Sequence, residues 1–441
     1  MAQATPVFPH LSGVDLKIDS IPVPTQQIKR FEWSSKINSG YIVVAEIVDP
    51  LFGFLKSLFK TDSLNYLEEG RQKPTKIQYS FFHVIDGKKV ITEERTAYLV
   101  SLKITGTGTA AKFSFYAQDP PTYFLSAGVA DGRVYKGKVG GKNGVISKCI
   151  KEFTKLKDKE ESEIKVDVTE TNDNEGGIWP MFRMDPKTYI RSLLEWSSPL
   201  TKDKESRWII SCNDDKINIK KASDLKGKDL GEYTLTDTDV LKNNILKWEM
   251  DLNNFMTQYQ ARLVTTGISS TTGGLIEAII SDENTKKKVT SFKKGEGKDR
   301  AFTKPISNKD WPIDLPATFI RAIPEHSGGE VYKEYTGYID GRARQIFDDM
   351  LSSIMRMTIC VSGMTKLDSS DLLGVSTCTL NWPAGDGSNP WFVHGKWIVD
   401  GFCHKYYDSN ANMGGLWHTY LDLYRIDWNA EAVELKPPPA S

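Results

Sequence analysis

Apolar and polar residues alternate with period two through most of this chain, and the pattern is densest near its end. In residues 416–426, Trp417, Thr419, Leu421 and Leu423 share one face of an extended strand. His418, Tyr420, Asp422, Tyr424 and Ile426 share the other. Residues 392–407 form a matching arm, and Asp408, Ser409, Asn410, Asn412, Gly414 and Gly415 between them tolerate turn conformations. Neither face is simply polar, so both are expected to be covered. The same period marks residues 28–48, with a turn at Asn38-Ser39-Gly40, and then residues 75–84, 89–95, 98–105 and 111–118. Asp86-Gly87 is a two-residue hairpin signal. Further strands are expected at 163–169, at 207–212 and 216–220 around Asn213-Asp214-Asp215, at 245–255, 260–269 and 357–363, and leading to Leu380. Residues 1–24, punctuated by Pro6, Pro9, Pro22 and Pro24, read as extended chain.

Helical spacing appears in four places. Asp49-Pro50 reads as cap and first residue of a short helix carrying Leu51, Leu55, Leu58 and Phe59. Asn143 reads as the cap of a helix with Val145, Ile146, Cys149, Ile150 and Phe153 on one face. Asp185-Pro186 repeats the cap signal before Tyr189, Ile190, Leu193 and Leu194. A last helix is expected from Asp340 to about Arg356, burying Ile346, Phe347, Met350, Leu351, Ile354 and Met355. Residues 269–274, the Lys-rich 282–300 and the tail ELKPPPAS read as loop or extended arm. The fold class is therefore mainly β, α+β.

Composition narrows the function. The chain has 441 residues, enough for several domains, with 39% hydrophobic and 26% charged residues. Lys plus Arg and Asp plus Glu both number 57, which argues against a dedicated nucleic-acid binder. The five cysteines, Cys149, Cys212, Cys360, Cys378 and Cys403, are far apart and form no C-x-x-C pair. They suit synthesis in a reducing cytoplasm. The apolar stretch 41–59 is interrupted by Glu46, Asp49, Pro50 and Lys56, so no membrane insertion is expected.

Two segments carry a resemblance. Residues 395–404, GKWIVDGFCH, then 419–425, TYLDLYR, resemble the closing hairpin of baseplate hub proteins of contractile-tailed bacteriophages, the type found in bacteriophage T4 and related to the hub part of type VI secretion spike proteins. In that family a glycine, an aromatic and a V-x-x-x-x-H strand lead to a T-x-L-x-L-x-R strand. Residues 184–194, with the pattern M-x-P-x-x-Y-I-x-x-L-L, are similar to a small helical module of the same hubs, and Ile359-Cys360-Val361-Ser362-Gly363 stands where they have an I-x-V-x-G strand. Residues 366–371 have serine where the family has the glycine of an L-x-x-G-D turn. The resemblance spans most of 28–428, while 256–339 match nothing in it.

The resemblance implies two tube-like antiparallel β-barrel domains with an inserted small helical module. The first would occupy 1–118, completed at about 200–240, the module 119–199, and the second 241–430 with a loop-rich insertion at about 270–340. It implies a homotrimer that adapts a hexameric tail tube to a trimeric central spike. Its other partners would be further baseplate and tape-measure proteins, and phage DNA passing through the lumen. The location would be the virion tail baseplate. The alternatives are a tail tube or distal tail protein in six-fold rings, a receptor- or carbohydrate-binding tail protein, and a tail-associated cell-wall-degrading enzyme.

Residue chemistry favours none of the catalytic options. Gly106-Thr107-Gly108-Thr109-Ala110-Ala111 mimics a dinucleotide loop, yet strand pattern lies on both sides of it. Residues 137–142 and 295–298 hold Gly-Lys pairs without the phosphate-loop spacing. Of the six histidines, His10, His83, His326, His394, His404 and His418, the pair His404 and His418 lies on the two arms of one hairpin, where they could face each other. Cys403 points away from His404, and a metal needs further ligands. Asp214-Asp215, Asp348-Asp349 and Glu160-Glu161 read as solvated surface. No catalytic, cofactor-binding or metal-binding residue is therefore expected, and the protein is expected not to be an enzyme.

Overall fold

A computed structural model describes residues 11–425, apart from 51, 55, 57–73, 86–87, 108–109, 128–131, 156–163, 172–176, 197–207, 235–244, 253–262, 269–274, 281–320, 324–354, 365–366, 368–369, 382–393 and 409–414. The chain is mainly β, and the described strands group into one large sheet and three small ones.

The large sheet has 14 strands. It begins with β1 (Leu11–Ile18), β2 (Ile21–Val23), β3 (Ile28–Lys36), β4 (Gly40–Pro50), β5 (Lys76–Ile85), β6 (Lys88–Ile91), β7 (Arg95–Thr107) and β8 (Ala110–Gln118). The chain leaves it through α1 (Pro120–Ala127), β9 (Arg133–Lys136), α2 (Val145–Phe153), β10 (Lys165–Val168), β11 (Ile178–Met181), α3 (Pro186–Trp196), β12 (Trp208–Asn213) and β13 (Lys216–Lys221). It returns with β14 (Asp229–Thr234) and β15 (Ile245–Leu252), and departs again through β16 (Leu263–Ile268), β17 (Leu275–Ile280) and β18 (Arg321–Ile323). It ends with β19 (Met355–Ser362), β20 (Thr377–Asn381), β21 (Gly395–Tyr407) and β22 (Leu416–Arg425).

The order across the large sheet is β15-β19-β22-β21-β3-β4-β8-β7-β5-β1-β2, with β14, β20 and β6 attached at its sides. Strands from the start and the end of the chain thus share one sheet: β21 pairs with β3 from Gly401–Lys36 to Tyr407–Arg30. An isolated bridge between Ser12 and Gly415 brings β1 back towards β22. No continuous ladder closes there among the described residues, so the expected pair of closed barrels is replaced by one curled sheet. Period-two alternation fixes which face a residue takes, but not which strand lies alongside.

The inner face forms one core that includes Phe31, Trp33, Val43, Phe81, Phe113, Trp397, Phe402, Trp417 and Leu421. A second core gathers residues between Leu125 and Ile219. In α2 it takes Val145, Ile146, Cys149 and Ile150, and in α3 Tyr189, Ile190, Leu193 and Leu194, the faces expected from spacing. The β12–β13 turn falls where expected, with Asp214 in left-handed conformation (φ 37°).

Several expectations are corrected. Pro50 ends β4 and is not the first helical residue. The helical residues Gly53, Phe54 and Lys56 follow it, with the Lys56 N–H bonded to the Phe52 carbonyl at 3.0 Å and the Phe54 N–H to the Asp49 carboxylate at 3.0 Å. Proline is tolerated at a strand end because no ladder bond is lost there. Gly144, not Asn143, is the cap position of α2 and makes no side-chain bond. Residues 11–23 are paired strands of the large sheet, not merely extended chain. Met355 and Arg356 belong to β19, whose alternation buries Met355, Met357 and Ile359. The rest of the helix expected from Asp340 lies outside the described residues, as do the Asp86-Gly87 turn and most of the helix expected after Pro50.

Candidate functional site

Three features outside ordinary packing stand out: a buried histidine cluster, a polar joint under the small module, and the open margins of the large sheet.

The cluster sits where β1, β5 and β22 converge. His404 is fully buried; its Nε2 lies 2.7 Å from the Leu367 carbonyl, and its Nδ1 lies 2.8 Å from Thr419 Oγ1 and 3.2 Å from Trp417 Nε1. A carbonyl only accepts, so Nε2 carries the proton and Nδ1 accepts from Thr419 and Trp417. Burial holds the ring neutral, lowering its pKa to about 4. His83 repeats the arrangement, with Nε2 at 3.1 Å from the Gly363 carbonyl and Nδ1 at 2.7 Å from Ser12 Oγ. Its ring stacks on Trp417 at 4.3 Å. Both nitrogens of both rings are engaged by neighbouring groups.

His404 pairs across the hairpin with Thr419, and His418 with Lys405. The two histidines therefore lie on opposite faces, and the facing arrangement considered from sequence does not occur. A register in which even and odd positions oppose each other separates them. Cys403 does point opposite to His404, and burial raises its thiol to about 12. Among the described residues no group of three or more His, Cys, Asp or Glu side chains could hold a metal. Gly106 and Thr107 are strand residues of β7, with Thr107 paired to Ala110, so that segment opens no helix.

The polar joint was not visible as such in the sequence. Asp119, fully buried at the end of β8, accepts the Tyr41 N–H at 2.8 Å and the Thr122 N–H at 2.7 Å. Burial raises its carboxyl to about 6 against those bonds. Asp214, read as solvated, instead accepts the Tyr41 hydroxyl at 2.6 Å and the Thr96 N–H at 2.9 Å, beside Arg95 at 3.6 Å. Its neighbour Asp215 does face solvent, bound to Lys165 at 2.6 Å. Ser370 fastens the same hairpin, donating to the Cys212 carbonyl at 2.7 Å and accepting the Cys212 N–H at 2.9 Å. Asn38, in the β3–β4 turn, takes the Ile210 N–H at 2.6 Å. The only signal for this joint was Asp119 standing before Pro120-Pro121. Asp348-Asp349 and Glu160-Glu161 lie outside the described residues.

The margins are the third feature. β15 ends the sheet, with β19 on one side and no strand on the other among the described residues. Leu246 and Trp248 on it are 43% and 44% exposed. Towards the other end, β7 pairs with β5 only over residues 95–98, so among the described residues its stretch 100–107 has β8 on one side alone. Val100 and Ile104 are exposed there. The outer face between the margins is a charge ladder: Lys112–Glu46 at 2.8 Å, Glu46–Arg30 at 4.0 Å, Arg30–Glu32 at 2.7 Å and Glu32–Lys405 at 3.7 Å. No helix among the described residues is long and apolar enough to cross a membrane.

No family model matches the chain, and no curated protein matches its sequence. Solved structures do match its shape. A tail protein from Neisseria meningitidis MC58 is similar at 11% identity with a TM-score of 0.54, over 94% of this chain and 96% of that one. The 43 kDa tail protein of prophage MuSo2 from Shewanella oneidensis is similar at 11% identity with a TM-score of 0.52, over 95% and 99%. At this identity the likeness is one of fold, and it extends over nearly the full length of both tail proteins. The fold of this chain is thus that of phage tail proteins, in keeping with the resemblance to baseplate hubs carried by its closing hairpin.

Proposed function

We infer that the chain is a structural protein of a phage tail, acting as the hub: a homotrimeric ring that joins the hexameric tail tube to the trimeric central spike and leaves a passage for DNA. The observation that carries this reading is a single sheet whose margins at β15 and at residues 100–107 of β7 have no further strand among the described residues, in a chain with the fold of tail proteins. Two different open margins on one chain suit head-to-tail pairing, and head-to-tail pairing that closes makes a ring. The ring contains three chains on the strength of the hub resemblance. The role is geometric and needs no catalysis. Class averages of particles assembled from purified protein test it. Three-fold rings support the hub; six identical copies per ring would instead favour a tail tube or distal tail protein.

A further inference from the structure

The small module carries a surface that neither the sheet margins nor the joint accounts for. β9 and β11 form an isolated antiparallel ribbon, with Ile178 opposite Lys136 and Pro180 opposite Val134. One face, with Tyr135, Trp179 and Met181, is buried in the second core. On the other, Val134 is 56% and Ile178 53% exposed, Pro180 is exposed, and Phe182, next after Met181, is 66% exposed. Four neighbouring apolar side chains in water on so short a ribbon are more than scattered surface residues.

Each ribbon edge lacks one of the groups that strand addition would use. Gly137 donates to the Gly177 carbonyl at 2.9 Å, so the hydrogen-bonded pairs that follow are Tyr135–Trp179 and Arg133–Met181. The groups of Val134, Lys136, Ile178 and Pro180 then point to the outer edges. Pro180 has no N–H to offer, and the Lys136 carbonyl is taken by Lys148 Nζ at 3.1 Å. The exposed apolar face is therefore the better surface for a partner.

Charge selects the kind of partner. The strands RVYK and IWPM contain no acidic residue, and the exposed Lys136 and Arg183 flank the apolar groups. Two copies meeting through this face would set these cations against each other, which disfavours self-docking. We propose that the outer face of the β9–β11 ribbon docks a segment of a different tail protein, one that presents apolar side chains flanked by Asp or Glu. This rests on the reading of the chain as a tail component.

The test replaces Phe182, and separately Val134, with a photoreactive benzoylphenylalanine in chains assembled into whole tails. Irradiation followed by mass spectrometry identifies the attached peptide. The expected product joins each position to an acid-flanked apolar segment of another protein. With Lys136→Glu and Arg183→Glu together, its yield falls about tenfold. Attachment to a second copy or to the chain itself, or no attachment in tails that contain the variant, overturns the proposal. Absence of the wild-type chain from purified tails overturns the tail reading, and a tail protein as partner with it.

Discussion

His404 and Asp119 are both fully buried, and burial moves them in opposite directions, the imidazole down to about 4 and the carboxyl up to about 6. The folded value of His404 lies below its ordinary 6.5, so its contribution to stability is complete above pH 6.5 and is lost as pH falls towards 4. The folded value of Asp119 lies above its ordinary 3.8, so its cost is absent below pH 3.8 and grows as pH rises towards 6. Between those limits the unfolded chain binds one more proton at His404 and one fewer at Asp119, and the two slopes cancel. Asp119→Asn removes one side of the balance. Its stability should then rise with pH between 4.5 and 6 by up to about 1.4 kcal/mol per unit more than that of the wild type. Urea midpoints at the two pH values measure this, and equal slopes in variant and wild type would refute it. That His404 sits hydrogen-bonded on a strand was legible, because a histidine among alternating apolar residues faces a core. The burial of Asp119 and the half-burial of Asp214 were not. Each is held by groups far off in sequence, Tyr41 for Asp119 and Tyr41 and Thr96 for Asp214, and a pair of acids in a turn looks the same whether its partner is water or a hydroxyl.

At the scale of elements, local chemistry that completes itself within a few residues was read correctly. Asp185 caps α3, accepting the Thr188 N–H at 2.9 Å and the Thr188 hydroxyl at 2.6 Å, which holds its carboxyl below the ordinary value despite some burial. Asp185→Ala should cost about 1 kcal/mol, read as a lower melting temperature. An unchanged melting temperature would mean that the second core alone holds α3. At Asp49-Pro50 the same signal placed the helix start too early: β8 holds β4 as far as Pro50, and the helical residues Gly53, Phe54 and Lys56 follow, with the Asp49 carboxylate still accepting the Phe54 N–H. The closing hairpin was legible in both arms and in which residues share a face. That Trp417, Thr419, Leu421 and Leu423 point inward while His418, Tyr420 and Asp422 stay half-buried was not, since both faces were expected to be covered. Its tight point is Gly363, where an added Cβ would lie 2.3 Å from the Trp417 ring and 2.6 Å from His83 Nε2. Gly363→Ala should therefore destabilise by about 1–3 kcal/mol through overpacking and disturb the stacked His83–Trp417 pair. Near-ultraviolet circular dichroism and a melting curve report both effects, and a variant as stable as the wild type would show that β19 can shift aside.

The whole molecule depends on pairings that cross hundreds of residues, such as Tyr407 with Arg30, and these leave no local trace in the sequence. Alternation names the buried face of every strand yet is silent on strand order, which is why one curled sheet stands where two barrels were expected. The open margins follow from that order. β15 ends the sheet with Leu246 and Trp248 exposed, and among the described residues the far part of β7, with Val100 and Ile104, has no strand beside it opposite β8. A bulge between Ile245 and Lys247 already twists β15 at its start, so its straight remainder, 247–252, is the stretch available to a neighbour. Charges on an edge strand discourage pairing without disturbing the strand's own partner. Leu246→Lys with Trp248→Lys should therefore leave the β15–β19 ladder and the far-ultraviolet spectrum intact while dissociating the ring. Native mass spectrometry reads the outcome: three chain masses for the wild type and one for the variant. A variant that stays trimeric would place the contact elsewhere than β15, and a wild-type chain that is monomeric in assembled tails would remove the ring itself.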